Sequence, residues 1–217
     1  MYTAPFRSQY AMWVTQEFGS TSNNAWYIAN GISVPHNGID LAFGNPRETF
    51  GTECICPTEW EYVDVVKVNW DDPHKTKGNG VTVQSPIIDG CIYQLVFWHT
   101  CEIKVKIGDR VKSGEVICYV GNSGVCKPER SILRPFDGSH SHFMLFKFTP
   151  TGPNGNWALQ DINNGVNGAR DPRELFDFSK CEVGIDGGMA QDMWSISDMV
   201  SWMSPDIIVK YFKYLGF

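Results

Sequence analysis

The chain has 217 residues, of which 42% are hydrophobic and 19% charged, and its formal net charge is -6. This composition is typical of a folded globular protein and excludes a low-complexity or disordered chain. The negative charge argues against binding through a general positive field, so we expect neither a nucleic acid nor a membrane as partner.

The N-terminal segment, residues 1–19, has neither the basic start nor the continuous apolar stretch of a secretory signal. No segment elsewhere reaches the roughly 18 apolar residues that a transmembrane helix needs. The sequence therefore predicts either a protein made without export or one whose leader is not included in this sequence.

Seven cysteines are present, an odd number, so at least one thiol has no partner for an internal disulfide. Cys54 and Cys56 are too close for an easy bridge within an extended strand. Two interpretations stay open: reduced and buried thiols, or one or two disulfides such as Cys91–Cys101.

Most of the chain has the pattern of β-strands. Segments rich in β-branched and aromatic residues, bounded by turn formers, occur at 61–70, 79–86, 91–100 and 141–150. Residues 103–124 carry Gly-Asp and Ser-Gly turn signals between short apolar runs, which predicts tight turns along a meandering sheet. The predicted fold class is mainly β, with antiparallel sheet.

From about residue 178 the pattern changes. Residues 187–203 place Met, Trp, Ile and Val at spacings of three and four, as in an amphipathic helix. Residues 204–217 begin with a Ser-Pro-Asp sequence that is typical of a helix start. We therefore predict a β-rich domain at 1–178 and a helical extension at 179–217. Its helices pack on the sheet or on each other, or dock onto a protein partner.

The five histidines are the candidates for chemistry: His36, His74, His99, His140 and His142. In a strand, His140 and His142 would point to the same face, because side chains two apart do so. The His-x-His pair alone fits a surface or core pair as well as a metal or catalytic site.

A second motif, HNGIDLAFG, places His36 four residues before Asp40, in a loop that is predicted to lead into a strand. Catalytic zinc takes three protein ligands and leaves a fourth position to water. His36, Asp40 and one later histidine would provide such a set. An aspartate at a strand entrance is also a common turn or cap residue, so the motif alone leaves both interpretations open.

Four motifs follow one another along the chain: His-x3-Asp, FWHT with His99, VKIGDRVKSGEVICYVGNSG, and His-x-His-Phe. In this order they resemble the lysostaphin/LytM family of zinc metalloendopeptidases, which cut peptide bonds in bacterial peptidoglycan. The resemblance spans roughly residues 12 to 176. It implies the family's duplicated hybrid motif β fold, with a groove across one antiparallel sheet and the metal at its floor.

Residue by residue, the resemblance implies that His36, Asp40 and His142 bind one zinc ion. It places His99 and His140 beside the open coordination position as catalytic residues, without deciding which accepts a proton and which stabilises the oxyanion. His74 matches no motif and is predicted to be a solvated loop residue.

The implied function is zinc-dependent hydrolysis of peptidoglycan peptides by an endopeptidase. Such an enzyme, with no leader in this sequence, would act at the bacterial cell wall after lysis or as part of a phage particle. The alternative is a non-catalytic zinc-binding structural or cell-wall-binding module of a larger assembly, in which the C-terminal helices make contacts.

Two further positions are candidates for substrate binding. Residues 125–139 form a longer loop than the family has and carry Arg134. We interpret this loop as a groove wall that is either a basic clamp for acidic substrate groups or a solvated insertion. Tyr27, nine residues before His36, is a candidate oxyanion donor or a tyrosine of the core or groove lining.

Overall fold

The computed structural model of the chain describes residues 1–31, 35–70, 78–131, 133–152 and 155–182, without the side chains of 180–182. The predicted helices at 187–203 and 204–217 and the loop around His74 lie outside these described residues.

Strands dominate the described part of the chain. The elements in chain order are β1 (Tyr2–Arg7), β2 (Met12–Gln16), α1 (Asn24–Ala29), β3 (Ile39–Phe43), α2 (Pro46–Thr49), β4 (Glu53–Ile55), β5 (Tyr62–Asn69), β6 (Gly80–Gln84), β7 (Ile92–Trp98), β8 (Thr100–Ile103), β9 (Arg110–Lys112), β10 (Val116–Val120), β11 (Ser141–Pro150), β12 (Trp157–Leu159), β13 (Ala169–Arg170) and β14 (Phe176–Glu182). A short 3-10 helix, Pro172–Glu174, precedes β14.

The strands form two sheets. The large sheet has the order β2-β3-β11-β7-β6-β5-β9, with β12 and β13 also paired to β11, and the small sheet has the order β14-β1-β4-β10-β8. Neighbouring strands are antiparallel except for the parallel pair β1 and β14. The predicted class, mainly β with antiparallel sheets, is confirmed. Among the described residues, no helix is both long and apolar enough to cross a bilayer.

The four predicted strand segments correspond to β5, β6, β7 and β11, and the bounds of β11 coincide with the predicted 141–150. The predicted meander at 103–124 is wrong in its pairing. Although only a turn separates β9 from β10, β9 pairs with β5 in the large sheet and β10 pairs with β4 and β8 in the small one. The chain passes from the large sheet to the small sheet at this turn, because Val111 of β9 and Ile117 of β10 are buried in the same core.

The last described strand joins the two ends of this part of the chain. Strand β14 lies parallel to β1, with Tyr2 opposite Phe176. The predicted boundary at residue 178 falls inside β14, so the β-structure extends to Glu182.

The cysteines with described side chains are free thiols: Cys54, Cys56, Cys91, Cys101, Cys118 and Cys126. Cys91 and Cys101 are not bridged and are half-buried, whereas Cys54, Cys56, Cys118 and Cys126 are buried thiols, as the first interpretation predicts. Cys54 and Cys118 face each other across β4 and β10. Burial, followed by contact with Cys118, raises the pKa of Cys54 well above its usual value.

A cluster of aromatic rings fills the space between the sheets. Phe6 of β1 contacts Phe43, Phe97 and Phe143 of the large sheet, with ring centroids 5.2, 5.8 and 5.5 Å away. All four side chains are fully buried. Aromatic pairs at this separation stabilise a core beyond their area of burial, so Phe6 is a principal contact between the sheets.

We expect the substitution Phe6→Ala to lower the free energy of unfolding by about 3–5 kcal/mol, because it removes a buried ring and leaves a cavity. Chemical denaturation measures the change. Ile87→Ala, at a side chain that is 65% exposed, serves as the control and should change stability by no more than about 0.5 kcal/mol. A loss below about 1 kcal/mol for Phe6→Ala would show that the sheets do not depend on this ring.

Candidate metal centre

A cleft of about 400 Å³ lies on the outer face of the large sheet. Side chains alternate between the two faces of a strand, so Ile39 and Leu41 enter the core while Asp40 faces the cleft. In β11 the same alternation sends Phe143 to the core and His142 to the cleft. The floor is thus formed by alternate residues of the large sheet, and its walls by α1 and the loop residues 125–128 and 138–140.

The three predicted zinc ligands meet at the floor of this cleft. The pairing of β3 with β11 puts Asp40 opposite His142, and the loop before β3 brings in His36. Oδ1 of Asp40 lies 2.9 Å from Nδ1 of His142 and 3.1 Å from Nε2 of His36. The two nitrogen atoms are 3.0 Å apart. Each ligand atom therefore lies in contact with the other two.

The protonation of His36 shows that these atoms suit a cation. Its Nδ1 lies 2.9 Å from the carbonyl oxygen of Glu17, which can only accept, so Nδ1 carries the proton and the neutral ring offers the lone pair of Nε2. That lone pair faces the carboxylate of Asp40. Tetrahedral bonds of about 2.0–2.1 Å to zinc separate the ligand atoms by about 3.3 Å, close to the separations seen here. The donor set therefore fits zinc.

The electrostatics of the site favour the ligating forms. Burial alone would raise the pKa of Asp40, but the charge of His140 and the contacts of the carboxylate with His142 and His36 hold this pKa well below its usual value. Burial lowers the pKa of His142 to about 4. The site thus contains an anionic carboxylate and a neutral imidazole, which are the forms that bind metal.

The predicted catalytic histidines lie beside these ligands. The ring centroids of His99 and His140 are 4.5 Å apart, and that of His99 is 6.1 Å from that of His142. Nδ1 of His99 donates to the carbonyl oxygen of Ser123, and Nδ1 of His140 to that of Gly138, both at 2.7 Å. These bonds leave Nε2 of each ring available to the cleft.

His99 also has an unusual backbone. It lies between β7 of the large sheet and β8 of the small sheet and has a φ of 64°. This left-handed conformation costs a non-glycine residue about 1–2 kcal/mol, and strained residues of this kind are frequent at active sites. Burial lowers the pKa of the His99 imidazole, which keeps the ring neutral.

Of the two predicted substrate contacts, one lies in the cleft and the other lies outside it. Tyr27 lines the cleft, stacks on the ring of His36 with centroids 6.0 Å apart, and donates its hydroxyl to Gln16. Burial raises the pKa of Tyr27 to about 12. Arg134 is exposed in a turn with Ser131 and does not line the cleft. Only the two ends of the 125–139 loop, residues 125–128 and 138–139, line the cleft.

The sequence motifs assign no role to two cleft residues, Cys126 and Lys127, or to Gly38 beside the cleft. Cys126 lies near His99 and His140, Lys127 places its Nζ 5.7 Å from the ring centroid of Trp26, and Gly38 packs against His142. Cys126 follows the GNSG turn by two residues, but the turn gives no sign of which histidines it approaches. Only the tertiary structure connects them.

Gly38 is needed for the position of His142. A Cβ atom at this position would lie 2.7 Å from the carbonyl oxygen of Phe143 and 2.8 Å from the His142 ring. We expect Gly38→Ala to displace the ring and weaken zinc binding about 10–100-fold, as for other changes that misorient a ligand. Competition with a chromophoric chelator measures the affinity. Gly90→Ala, at a glycine with open space around it, should leave the affinity unchanged; equal affinities for both variants would contradict the prediction.

Acidification should release zinc, because its histidine ligands must be unprotonated. Burial acts to lower the pKa of His36, but Asp40 and the Glu17 carbonyl raise it overall, whereas the pKa of His142 is about 4. In the metal-free protein His36 is therefore the first ligand to gain a proton as the pH falls. We expect the zinc affinity to fall by about tenfold per pH unit below the pKa of His36. Titrations that give one affinity from pH 8 to pH 5 would contradict this.

Comparison with known proteins gives the following similarities. No protein-family model matches the chain, and neither does any curated protein. Among solved structures, LytU is 25% identical over 75% of this chain and 82% of its own, with a TM-score of 0.46. The lysostaphin catalytic domain from Staphylococcus simulans is 18% identical over 76% of this chain and 91% of its own, with a TM-score of 0.44.

A zinc-containing peptidase from Vibrio cholerae is 23% identical over 66% of this chain, with a TM-score of 0.45. The match covers 36% of that peptidase, so this chain spans about a third of its length. Lysostaphin is thus among the solved structures to which the chain is similar.

Proposed function

We propose that the chain is a zinc-dependent endopeptidase of the lysostaphin/LytM type that hydrolyses peptide bonds of bacterial peptidoglycan. The observation that carries this proposal is the convergence of His36, Asp40 and His142 at the floor of an open cleft, with two further imidazoles beside them. Structural zinc sites are closed by four protein ligands, whereas catalytic sites have three and an open position. The arrangement here is of the second kind.

The ligand atoms are Nε2 of His36, Oδ1 of Asp40 and Nδ1 of His142. When bound there, zinc supplies Lewis acidity and lowers the pKa of water to near neutrality. The Glu17 carbonyl fixes the tautomer of His36, and the pairing of β3 with β11 fixes the other two ligands. The protein thus holds the ligands ready before substrate arrives.

Proton transfer is the role proposed for His99 and His140. Their Nδ1 atoms are engaged by backbone carbonyls, so proton exchange takes place at Nε2. A neutral imidazole accepts the proton of the attacking water, while a protonated one donates to the oxyanion and the leaving amine. The low pKa of buried His99 favours the neutral form, and the nearby Asp40 carboxylate favours the protonated form of His140.

The substrate proposal follows from the cleft and from the motifs of the sequence. The cleft crosses the sheet surface and is lined by Trp13, Trp26 and Trp98, which suits an extended peptide better than a small molecule. Tyr27 is the proposed contact inside the cleft, and Arg134 a contact for a substrate that extends beyond it. The place of action is then the bacterial cell wall, reached after lysis or as part of a phage particle.

Digestion of purified peptidoglycan tests the enzymatic proposal. His99→Asn is the preferred variant, because asparagine tolerates the left-handed backbone that His99 adopts. We expect it to reduce the rate about 10²–10⁴-fold through loss of proton transfer. His142→Ala or a chelator should abolish turnover, and mass spectrometry of the released fragments identifies the bond.

Ile107→Ala, at an exposed side chain outside the cleft, is the matched control and should digest the wall at the wild-type rate. Equal product from every sample, the chelated one included, would contradict a zinc peptidase. Zinc binding without product from any sample would instead support the non-catalytic structural or wall-binding module.

A further inference from the structure

We propose that His99, Cys126 and His140 form a second metal site, distinct from the His36–Asp40–His142 set, that binds a thiophilic divalent ion such as zinc. The Sγ atom of Cys126 and one ring nitrogen from each histidine lie within 4.8 Å of one another. All three residues line the cleft. Two imidazoles and one thiolate are a ligand combination that zinc uses.

The two imidazoles are already oriented as metal ligands. Each donates Nδ1–H to a backbone carbonyl, that of Ser123 for His99 and that of Gly138 for His140, at 2.7 Å. A hydrogen bond of this kind fixes the tautomer and ring orientation of most metal-binding histidines. The lone pair of each neutral ring is then on Nε2, which is the nitrogen that would bind an ion.

Cys126 supplies a sulfur ligand, which makes this set selective for thiophilic metal ions. Its thiol lies 3.5 Å from the carbonyl oxygen of Ser123. Bonds of about 2.0–2.1 Å to nitrogen and about 2.3 Å to sulfur separate tetrahedral donors by about 3.3–3.6 Å, so the donor atoms must approach one another by at most about 1.5 Å when an ion binds. The bound thiol loses its proton to solvent, so binding releases one proton and forms one metal–sulfur bond.

The charges around the cluster allow a second cation near the first. Asp40 faces both ligand sets, because its Oδ1 contacts His36 and His142 while its Oδ2 lies 3.8 Å from Nε2 of His140. A carboxylate so placed can bridge two ions, as in sites with two metals. Arg130 opposes a cation here, but its guanidinium is bound to the carbonyl of Asn122. The thiolate and Asp40 supply the compensating negative charge.

Occupancy of the second site has a consequence that rests on the proposed function. His99 and His140 cannot accept or donate protons at Nε2 while those atoms bind an ion. Excess zinc should therefore inhibit peptidoglycan hydrolysis, and the loss of Cys126 should weaken that inhibition.

Cobalt titration followed by absorption tests the second site without reference to activity. Cobalt bound to a thiolate gives an intense near-ultraviolet charge-transfer band, and the first site contains no sulfur ligand. We expect the wild-type chain, kept reduced with a phosphine, to bind two equivalents of cobalt and to show this band for one of them. Cys126→Ser should bind one equivalent without the band, its second affinity weakened at least about tenfold. Cys126→Ala provides a second variant for the same measurement.

Two control variants separate this proposal from the proposed function. Cys91→Ser removes a more accessible thiol outside the cleft and should retain both equivalents and the band. His36→Ala should lose the first equivalent and keep the band. One equivalent without the band in the wild type would overturn the second site and leave the first intact. A band that persists in Cys126→Ser would also overturn it, whereas no cobalt binding in any sample would overturn both proposals.

The activity measurement uses the ratio of rates at excess and at one equivalent of zinc, determined for each variant separately. We expect this ratio to be at least about tenfold lower in the wild type and Cys91→Ser than in Cys126→Ser. Equal ratios in all three would show that occupancy of the cluster does not control hydrolysis.

Discussion

The carboxylate of Asp40 is the charge on which the cleft depends. One of its oxygen atoms faces His36 and His142, and the other faces His140. A buried anion is costly unless it is compensated, and three nitrogen-bearing rings around one carboxylate provide that compensation only when a proton or a metal ion supplies positive charge. The carboxylate therefore favours a proton or a metal ion among these rings.

The fold meets this requirement through strand register. Asp40 and His142 are partners on adjacent strands, and the residues beside them, Ile39, Leu41 and Phe143, are fully buried. A slip of one residue would send the ligands into the core and the apolar side chains into the cleft. The aromatic core thus fixes which side chains face the cleft, because a slip by one residue would bury charge and expose rings.

The sequence predicts local features well and long-range ones only through the family resemblance. Alternation along β11 is enough to place His142 on the cleft face, whereas its contact with His36 depends on pairings about a hundred residues apart. The sequence interpretation did not include the short helix α2, although Asn45 and Glu48 form a capping box and Pro46 begins the helix. The separation of β9 from β10 was missed because turn signals report a change of direction and not which sheet receives the next strand.

A single carbonyl, that of Ser123, links the strained histidine to the cysteine beside it. It accepts from Nδ1 of His99 at 2.7 Å and from the thiol of Cys126 at 3.5 Å. Gly78 packs so closely on Ser123 that a Cβ there would lie 2.3 Å from its carbonyl carbon, which leaves this group little freedom to move. Because the Ser123 carbonyl is held in place, His99 keeps its left-handed backbone at the point where the chain passes from β7 of the large sheet to β8 of the small sheet. Deprotonation of Cys126 would remove one donor from the carbonyl and leave the bond to His99, so the imidazole stays in place whether or not the thiol binds an ion.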